Sequence, residues 1–452
     1  MNSHIGNFHI IETVDRYVVY HLDSFSLFKV NKETVSCIKD FINGFDNRFV
    51  SWKNKISYEA VCNLRQKLNE LSSHHTFRKK EVTSKKKSVS RITLHVTNDC
   101  NLRCKYCYAG GGNYGTKRAL MTVEGADNFI SFIIENFENV DHIVFFGGEP
   151  FLNVSIISYI CDKLNKLYKE RKISYLPKFG AITNGYFNSD HIFDVIEKYF
   201  SFITVSIDGD AYCHNLNRIS YTGQGTYSVV ENFVDRLCLI TGLSVRYEAT
   251  YTFAHKAANI SRNDIRSFLQ KRFGIDGVVN DEYTMEKNAV EGNESTDFLQ
   301  HGCNEAFWDI LPWFVWKTPA KMCPIGSDIF SISVDGDIYP CHMNTGEPKS
   351  FLGNISSKNI FNHPQEFSIH HHYTINSLKD NQECKSCWAR YLCGGCSRLW
   401  FYSETEKHFN TIPFKDACEA NKKHLEKAIL EIVELKQNDM AWKTLVSSLK
   451  NK

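Results

Sequence analysis

The sequence predicts an α/β fold with a smaller unit on either side, and three observations predict it. Strand-like and helix-like segments alternate about six times over residues 91–280, a βα repeat that implies a parallel sheet with right-handed crossovers. Ahead of them, residues 1–78 read as short strands followed by helices, an α+β unit. After residue 310 the cysteines concentrate, with seven of the sixteen. The expected units are 1–78, a charged linker at 79–90, the βα region at 91–310 and a cysteine-rich region at 311–452.

Residues 8–11, 17–22 and 26–30 are strand-like runs separated by polar turns. A helix is predicted over 32–42, where Val35, Ile38 and Phe41 or Ile42 share a face and Gly44 is a stop. A second, near 58–71, repeats Val61, Leu64, Leu68 and Leu71. The run FRKKEVTSKKKSVSR at 77–91 has no apolar periodicity and reads as a tether extended by its own charge. Beyond it, strands are predicted near 91–96, 142–146, 178–182, 202–207, 244–250 and 276–280, with helices between them. Sites in such folds collect at the C-terminal ends of the strands.

The chain has 452 residues, 42% hydrophobic and 23% charged, with a formal net charge of +2. A charge so near zero gives no bulk attraction to nucleic acid or to a membrane. No apolar run approaches the roughly 18 residues that span a bilayer, and no signal-peptide pattern opens the chain. The expected location is cytoplasmic, where disulfides do not persist, so the cysteines call for another explanation. Ten fall into ligand-like clusters. Cys37, Cys62, Cys161, Cys213, Cys238 and Cys303 remain, and small buried hydrophobes is their default reading.

The first cluster is Cys100-Asn-Leu-Arg-Cys104-Lys-Tyr-Cys107, just after the alternating run Ile92-Thr-Leu94-His-Val96. A strand delivers a loop, and the loop presents three thiols within eight residues. Three close thiolates can hold three irons of a [4Fe–4S] cubane and leave the fourth iron to another ligand. A structural zinc takes four protein ligands, usually from two separated pairs, and spacing alone leaves that reading open. Further on, the strand-like run Val144-Phe-Phe meets Gly147-Gly148-Glu149-Pro150.

A CX3CX2C triplet with an aromatic, Tyr106, before its last cysteine, followed by a GGEP turn, resembles the radical S-adenosylmethionine (SAM) enzymes. The resemblance implies that family's partial (β/α)6 barrel, with Cys100, Cys104 and Cys107 on a cluster whose fourth iron SAM caps. One electron then cleaves SAM to methionine and a 5′-deoxyadenosyl radical that takes hydrogen from substrate. Gly147, Gly148, Glu149 and Pro150 would hold the SAM amino group. Asn184, after the third strand, and Ser206 and Asp208, ending the fourth, would approach its methionyl or ribose portion. His214-Asn-Leu-Asn-Arg218 resembles the family's HDxxR stretch with Asn215 in the acid's place, and Arg218 would pair with the SAM carboxylate. The hard chemistry would be the cofactors', the positioning the protein's.

The later cysteines are Cys323, Cys341, Cys384, Cys387, Cys393, Cys396 and Cys418. Spacing alone would also suit a zinc ribbon. Behind a radical SAM barrel the pattern resembles the SPASM extension, which carries two auxiliary clusters, making three [4Fe–4S] clusters in all. Many relatives have CX3C where this chain has Cys393-X2-Cys396. The resemblance puts Cys323, Cys341 and Cys396 on the first auxiliary cluster and Cys384, Cys387, Cys393 and Cys418 on the second. Either Cys303 completes the first, or its iron is open to a substrate thiolate, the form of cysteine that binds metal.

Three further resemblances narrow the chemistry. Residues 8–75 are similar to the winged-helix, PqqD-like domain that recognises precursor peptides, although a packing or dimerisation unit would read alike. A winged helix can also bind DNA, but no helix here concentrates basic residues. Cys107-Tyr108-Ala109 with Tyr114-Gly115, and Tyr339-Pro-Cys341-His342 with Gly353-Asn354, resemble segments of thioether-forming maturases. Sulfatase-maturing relatives carry aspartate where this chain has His342. The expected protein installs cysteine thioether crosslinks in a ribosomal precursor peptide, its leader on the N-terminal unit and its core at the barrel. An external electron donor such as flavodoxin or ferredoxin would feed it. The alternatives are carbon–carbon crosslinking, epimerisation, formylglycine formation, or an iron–sulfur carrier or sensor that never cleaves SAM.

Overall fold

A computed structural model describes residues 7–73, 87–274, 278–281, 303–319, 323, 325–326, 328–357, 382–394, 402–403, 408–409 and 415–450. It opens with an antiparallel sheet of β1 (Phe8–Glu12), β2 (Tyr17–His21) and β3 (Ser26–Val30), in that order. Helices α1 (Lys32–Ile42), α2 (Asn47–Asn54) and α3 (Tyr58–Ser73) follow. The side chains of Asn31 and Asp46 accept from the backbone N–H of Thr34 and Phe49, capping α1 and α2. The sequence does not announce α2, because its eight residues bury only Val50 and carry no apolar stripe.

Successive side chains of a strand point to opposite faces, and β2 uses both. Val19 packs with Ile38, Phe41, Val50, Val61 and Leu68 of the helices that follow it. Val18 and Tyr20 face the other way, into a core that also holds Ile310, Phe314, Ile429 and Ile432. The N-terminal unit is therefore not a freestanding domain.

The α/β body runs β4 (Lys87–Thr97), α4 (Val123–Asn136), β5 (Phe137–Gly147), α5 (Val154–Lys169), β6 (Lys178–Thr183), α6 (Asp190–Tyr199) and β7 (Phe200–Ser206). It continues through α7 (Ala211–Asn217), α8 (Tyr227–Leu237), β8 (Ser244–Tyr251), α9 (Phe253–Ala257), α10 (Arg262–Phe273) and β9 (Val278–Asp281). All six predicted strands are present, parallel and in chain order. Helices cover them with stripes at helical spacing, such as Ala126, Phe129, Ile130 and Ile133 of α4 and Ile156, Ile157, Ile160 and Leu164 of α5.

Two expected boundaries move. Strand β4 begins at Lys87, inside the run expected to be a linker. It is a central strand, paired to β5 from Lys87 and to β10 (Ile329–Ile332) from Arg91, and at its start pairing with β5 outweighs the poor strand preference of Lys and Ser. The boundary at 310 falls within α11 (Cys303–Trp316). Beyond it, β10, β11 (Asp337–Tyr339) and β12 (Gly353–Asn354) extend the same sheet on the far side of β4, making nine strands. Then come α12 (Gln382–Ser386), β13 (Tyr402–Ser403), β14 (His408–Phe409), α13 (Lys415–Gln437) and α14 (Asp439–Lys450). Helix α13 packs along α11 and against β3. Among the described residues no helix is long and apolar enough to cross a membrane.

Of the cysteines outside the clusters, Cys37, Cys161 and Cys213 are buried as expected, whereas Cys62 is half-buried and Cys238 exposed. Cys238 follows α8 on its outer end, where its thiol lies 3.9 Å from the Tyr247 hydroxyl. The side chain of Cys303 and all of Cys396 lie outside the described residues.

Candidate active site at the C-terminal ends of the strands

The cysteine loop leaves β4 and returns to it. Asn98 N–H donates to the Ala119 carbonyl at 2.8 Å and Met121 N–H to the Val96 carbonyl at 2.9 Å, closing the excursion at its base. Within it Cys100, Cys104 and Cys107 are half-buried. Burial, with smaller contributions from neighbouring charges, pushes the Cys100 thiol up to about 12 and the Cys104 thiol up to about 11. Left to themselves these groups stay protonated at neutral pH, so a metal must displace the protons.

A second segment braces this loop. Arg103 N–H donates to the Ile219 carbonyl at 2.8 Å, Lys105 N–H to the Asn217 carbonyl at 3.1 Å, and Leu102 bridges Ser220. The stretch around Arg218 thus shapes the loop through its backbone, a role no side-chain motif reveals. Asn215 accepts from the N–H groups of Thr226 and Tyr227 at the start of α8, so an uncharged oxygen suffices in that place.

The Gly147–Pro150 turn is stitched to the cysteine loop. Gly148 N–H donates to the Thr97 carbonyl at 3.1 Å and Glu149 N–H to the Asp99 carbonyl at 2.8 Å. Gly147 has φ +135°, and a Cβ there would stand 2.1 Å from the Thr97 oxygen. A Cβ on Gly112 would meet the Gly148 Cα at 2.6 Å and the Cys100 Cβ at 2.9 Å. Backbone lies on backbone here, which only glycine permits. Tyr114, at the end of the glycine run, donates its hydroxyl to the Gly147 carbonyl at 3.0 Å.

Glu149 is fully buried, and its carboxylate accepts from Asn184 N–H (2.7 Å), the Thr183 hydroxyl (2.8 Å) and Phe151 N–H (3.2 Å). Burial nonetheless pushes it up to about 7. Asn184 in turn aims its amide at Asn101 Oδ1 (2.8 Å) and at the Cys100 sulfur (3.6 Å), and Leu102 N–H reaches the same sulfur at 3.4 Å. Donors aimed at a cysteine sulfur are what an iron–sulfur ligand needs.

Tyr106, Asp208 and Arg218 engage one another. The Tyr106 hydroxyl donates to Asp208 Oδ2 at 2.8 Å and accepts from Arg218, while Thr250 N–H donates to Asp208 Oδ1 at 2.9 Å. Burial raises the Asp208 carboxyl, and the Arg218 guanidinium pulls it back. Arg218 keeps its buried Nε without a partner among the described residues, and its positive charge works against burial at the Cys104 thiol. Ser206 ends β7, half-buried, two residues before Asp208. These positions fit a SAM-capped cluster: three thiols, sulfur-directed donors and one buried guanidinium N–H for a ligand carboxylate.

The remaining cysteines form two groups. Cys384, Cys387, Cys393 and Cys418 come together, since burial and then the first three push the Cys418 thiol up to about 12. Cys323 and Cys341 come to one end of the β10–β11 hairpin, where Gly326 N–H donates to the Pro340 carbonyl at 3.3 Å. His342 then stands edge-on to Phe146 at 4.9 Å, and His95, fully buried, packs edge-on to both Phe146 and Tyr114. Nothing in the sequence singles out this aromatic set, because His95 lies on a strand face it shares with Arg91, Thr93 and Thr97. Among the described residues no three His, Cys, Asp or Glu side chains close on a single ion. Ligands of a tetrahedral zinc lie within about 4 Å of one another, whereas each cubane ligand holds a different iron.

Comparison with known proteins agrees with this geometry. Residues 94–239 match the model of the radical SAM superfamily, and residues 323–388 that of the SPASM iron–sulfur cluster-binding domain. The cysteine-type anaerobic sulfatase-maturating enzyme of Clostridium perfringens strain 13 is 23% identical over 380 residues, 77% of this chain and 99% of that enzyme. The radical SAM cyclopropyl synthase TigE of Paramaledivibacter caminithermalis is 24% identical over 78% of this chain and 77% of its own length. The solved structure of native anSMEcpe with bound AdoMet superposes with a TM-score of 0.60 at 19% identity, over 77% of this chain and 99% of that one. The chain therefore carries a radical SAM domain followed by a SPASM domain, the architecture of a SPASM-type radical SAM modification enzyme whose cofactors are [4Fe–4S] clusters and SAM.

Proposed function

We propose that this enzyme installs cysteine thioether crosslinks in a ribosomally made precursor peptide. The observation that carries this reading is the position of His342, the residue next to Cys341, against Phe146, which precedes the Gly147 turn. It supports an auxiliary-cluster ligand beside the place where SAM would be cleaved, so a peptide thiolate bound there sits near the substrate radical. When bound, SAM and the clusters supply the hydrogen-abstracting radical and the electron traffic. The chain's own part is positioning. Cys100, Cys104 and Cys107 hold the first cluster, the 147–150 turn, Asn184 and Ser206 line the SAM site, and Arg218, fixed by Tyr106 and Asp208, offers its free N–H to the carboxylate. Cys323, Cys341 and Cys396 serve one auxiliary cluster and the other four cysteines the second.

The three-stranded sheet and helices of residues 8–73 support a PqqD-like peptide-recognition unit, holding the leader while the tethered core reaches the barrel. A tethered core needs little affinity of its own. The enzyme works in the cytoplasm and takes electrons from an external donor of the flavodoxin or ferredoxin kind.

Each crosslink removes a hydrogen atom, which would go to the deoxyadenosyl carbon, a thiol proton, which would leave to solvent, and one electron, which the auxiliary clusters would accept. The test is the mass and alkylation of a cysteine-bearing peptide encoded beside the gene, after turnover with the reconstituted enzyme. The product should be about 2 Da lighter per ring, with that cysteine closed to alkylation. A loss of mass with every cysteine still alkylatable would sink the thioether and favour a carbon–carbon bond, and unchanged mass would favour epimerisation. A second reading, oxidation of a peptide cysteine to formylglycine, is favoured by the 99% coverage of the sulfatase-maturating relative. Its product would carry an aldehyde that a hydrazide probe labels.

A further inference from the structure

We propose that the N-terminal sheet forms one wall of the four-cysteine site, and that His9, Asn7 and Asp23 position the ligand loop between Cys387 and Cys393. The proposal rests on the reading of Cys384, Cys387, Cys393 and Cys418 as ligands of one cluster.

The loop between those two ligands has five residues, and all are held from outside it, Tyr391 by packing on the shared core near the Phe25 ring at 6.3 Å. Trp388, next to Cys387, lies flat on the His9 ring of β1, with centroids 3.7 Å apart and planes 3° from parallel. His9 Nε2 is 2.8 Å from Glu426 Oε1 of α13, the helix that carries Cys418. Arg390 donates to Asn7 Oδ1 at 3.1 Å and pairs with Asp23 at 3.5 Å, where the Asp23 side chain is only 10% exposed. Ala389 and Leu392, the latter next to Cys393, are buried in the core shared with Ile11, Val18 and Tyr20.

Helix α12 ends at Ser386, so the loop has little regular structure to hold its two thiols in place. The sheet supplies that hold through a ring stack, an ion pair and a shared core. Side chains around a metal site fix ligand orientation and tune its potential, so the grip should register in the cluster itself.

The test uses the full chain, reconstituted anaerobically, as wild type and as Trp388→Ala, Trp388→Phe and Asp23→Asn. Iron per chain and a potential-controlled electron paramagnetic resonance titration are read for each. Wild type should hold about twelve irons, and Trp388→Ala about eight, with the phenylalanine variant restored, since one cubane carries four. Asp23→Asn keeps the side chain's shape and should keep the iron but shift the midpoint of one auxiliary signal. Retained uncoupled SAM cleavage shows that the barrel is intact. If Trp388→Ala loses the triplet cluster as well, it has unfolded, and Asp23→Asn decides. Wild-type iron and superimposable titrations for both Trp388→Ala and Asp23→Asn would overturn the proposal. Unchanged iron after replacing all four cysteines by alanine would instead overturn the four-cysteine reading beneath it.

Discussion

Glu149 shows what a single buried carboxyl does in this site. Burial pushes it up to about 7 from an ordinary 4.5, against the pull of its three donors. Between those values the folded chain holds the proton more tightly than the unfolded chain. The stabilising share of this group is therefore complete below about 4.5 and is lost as the pH rises through about 7. A ligand ammonium beside the ionised carboxylate offsets that loss. Without SAM, the cluster-loaded protein should melt at lower temperature at about pH 8 than at about pH 6, and SAM affinity should rise by up to about tenfold over the same interval. Glu149→Gln should flatten both profiles and weaken SAM binding at the higher pH by about tenfold or more, as a hydrogen bond to a charged group contributes about 1.5–3 kcal/mol. Titration calorimetry measures this directly. A wild-type affinity independent of pH would leave Glu149 only as a tie between the β5 turn and β6. At this scale the cysteines, GGEP and Asn184 were legible as types at a spacing. That Tyr106, Asp208 and Arg218 bond to one another was not, because a sequence does not show whether a polar group faces a ligand or a neighbour.

At the scale of elements, the site depends on how closely the cysteine loop lies on the Gly147–Pro150 turn. Gly112 and Gly115 both have positive φ, +96° and +72°, but only Gly112 meets backbone, whereas a Cβ on Gly115 would find nothing within 4 Å. Gly112→Ala should push the loop off the turn, removing about a third of the iron and at least tenfold of uncoupled SAM cleavage. Gly115→Ala carries only the conformational penalty of roughly 1 kcal/mol and should keep both. Iron counting and 5′-deoxyadenosine release separate the two, and equal behaviour would show that contact with Gly148 does not matter. The strands and long helices were legible because their apolar periods are strong. Helix α2 and the start of β4 were not, since one is fixed by caps and the other by pairing with β5.

At the scale of the whole molecule, the N-terminal unit is built into the body. Ile11, Val18, Tyr20, Leu22 and Phe25 are all buried in the core they share with α11 and α13. At about 1.5–3 kcal/mol for each buried side chain, their removal forfeits on the order of 10 kcal/mol. That matches the net stability of a typical domain, about 5–15 kcal/mol. Deleting residues 1–78 should therefore give protein that aggregates or binds a hydrophobic dye, rather than a soluble barrel that still cleaves SAM. Soluble yield, melting and dye binding check this, and a truncation with wild-type melting would show the shared core to be dispensable. Peptide recognition is better tested by substitutions on β3 than by truncation.

The sequence by itself determined the local chemistry and the order of elements. Thiol spacing, glycine turns and apolar periods are written in neighbouring residues, and each constrains structure within a few turns of chain. Only the tertiary structure decided which surfaces share a core, which carboxylates are spoken for and where one unit ends. Those outcomes depend on residues hundreds of positions apart, as His9 and Trp388 are, or Val18 and Ile429. The apolar run Tyr17-Val-Val-Tyr20 carried the one local hint, because a strand buried on both faces needs a second partner that its own helices cannot supply.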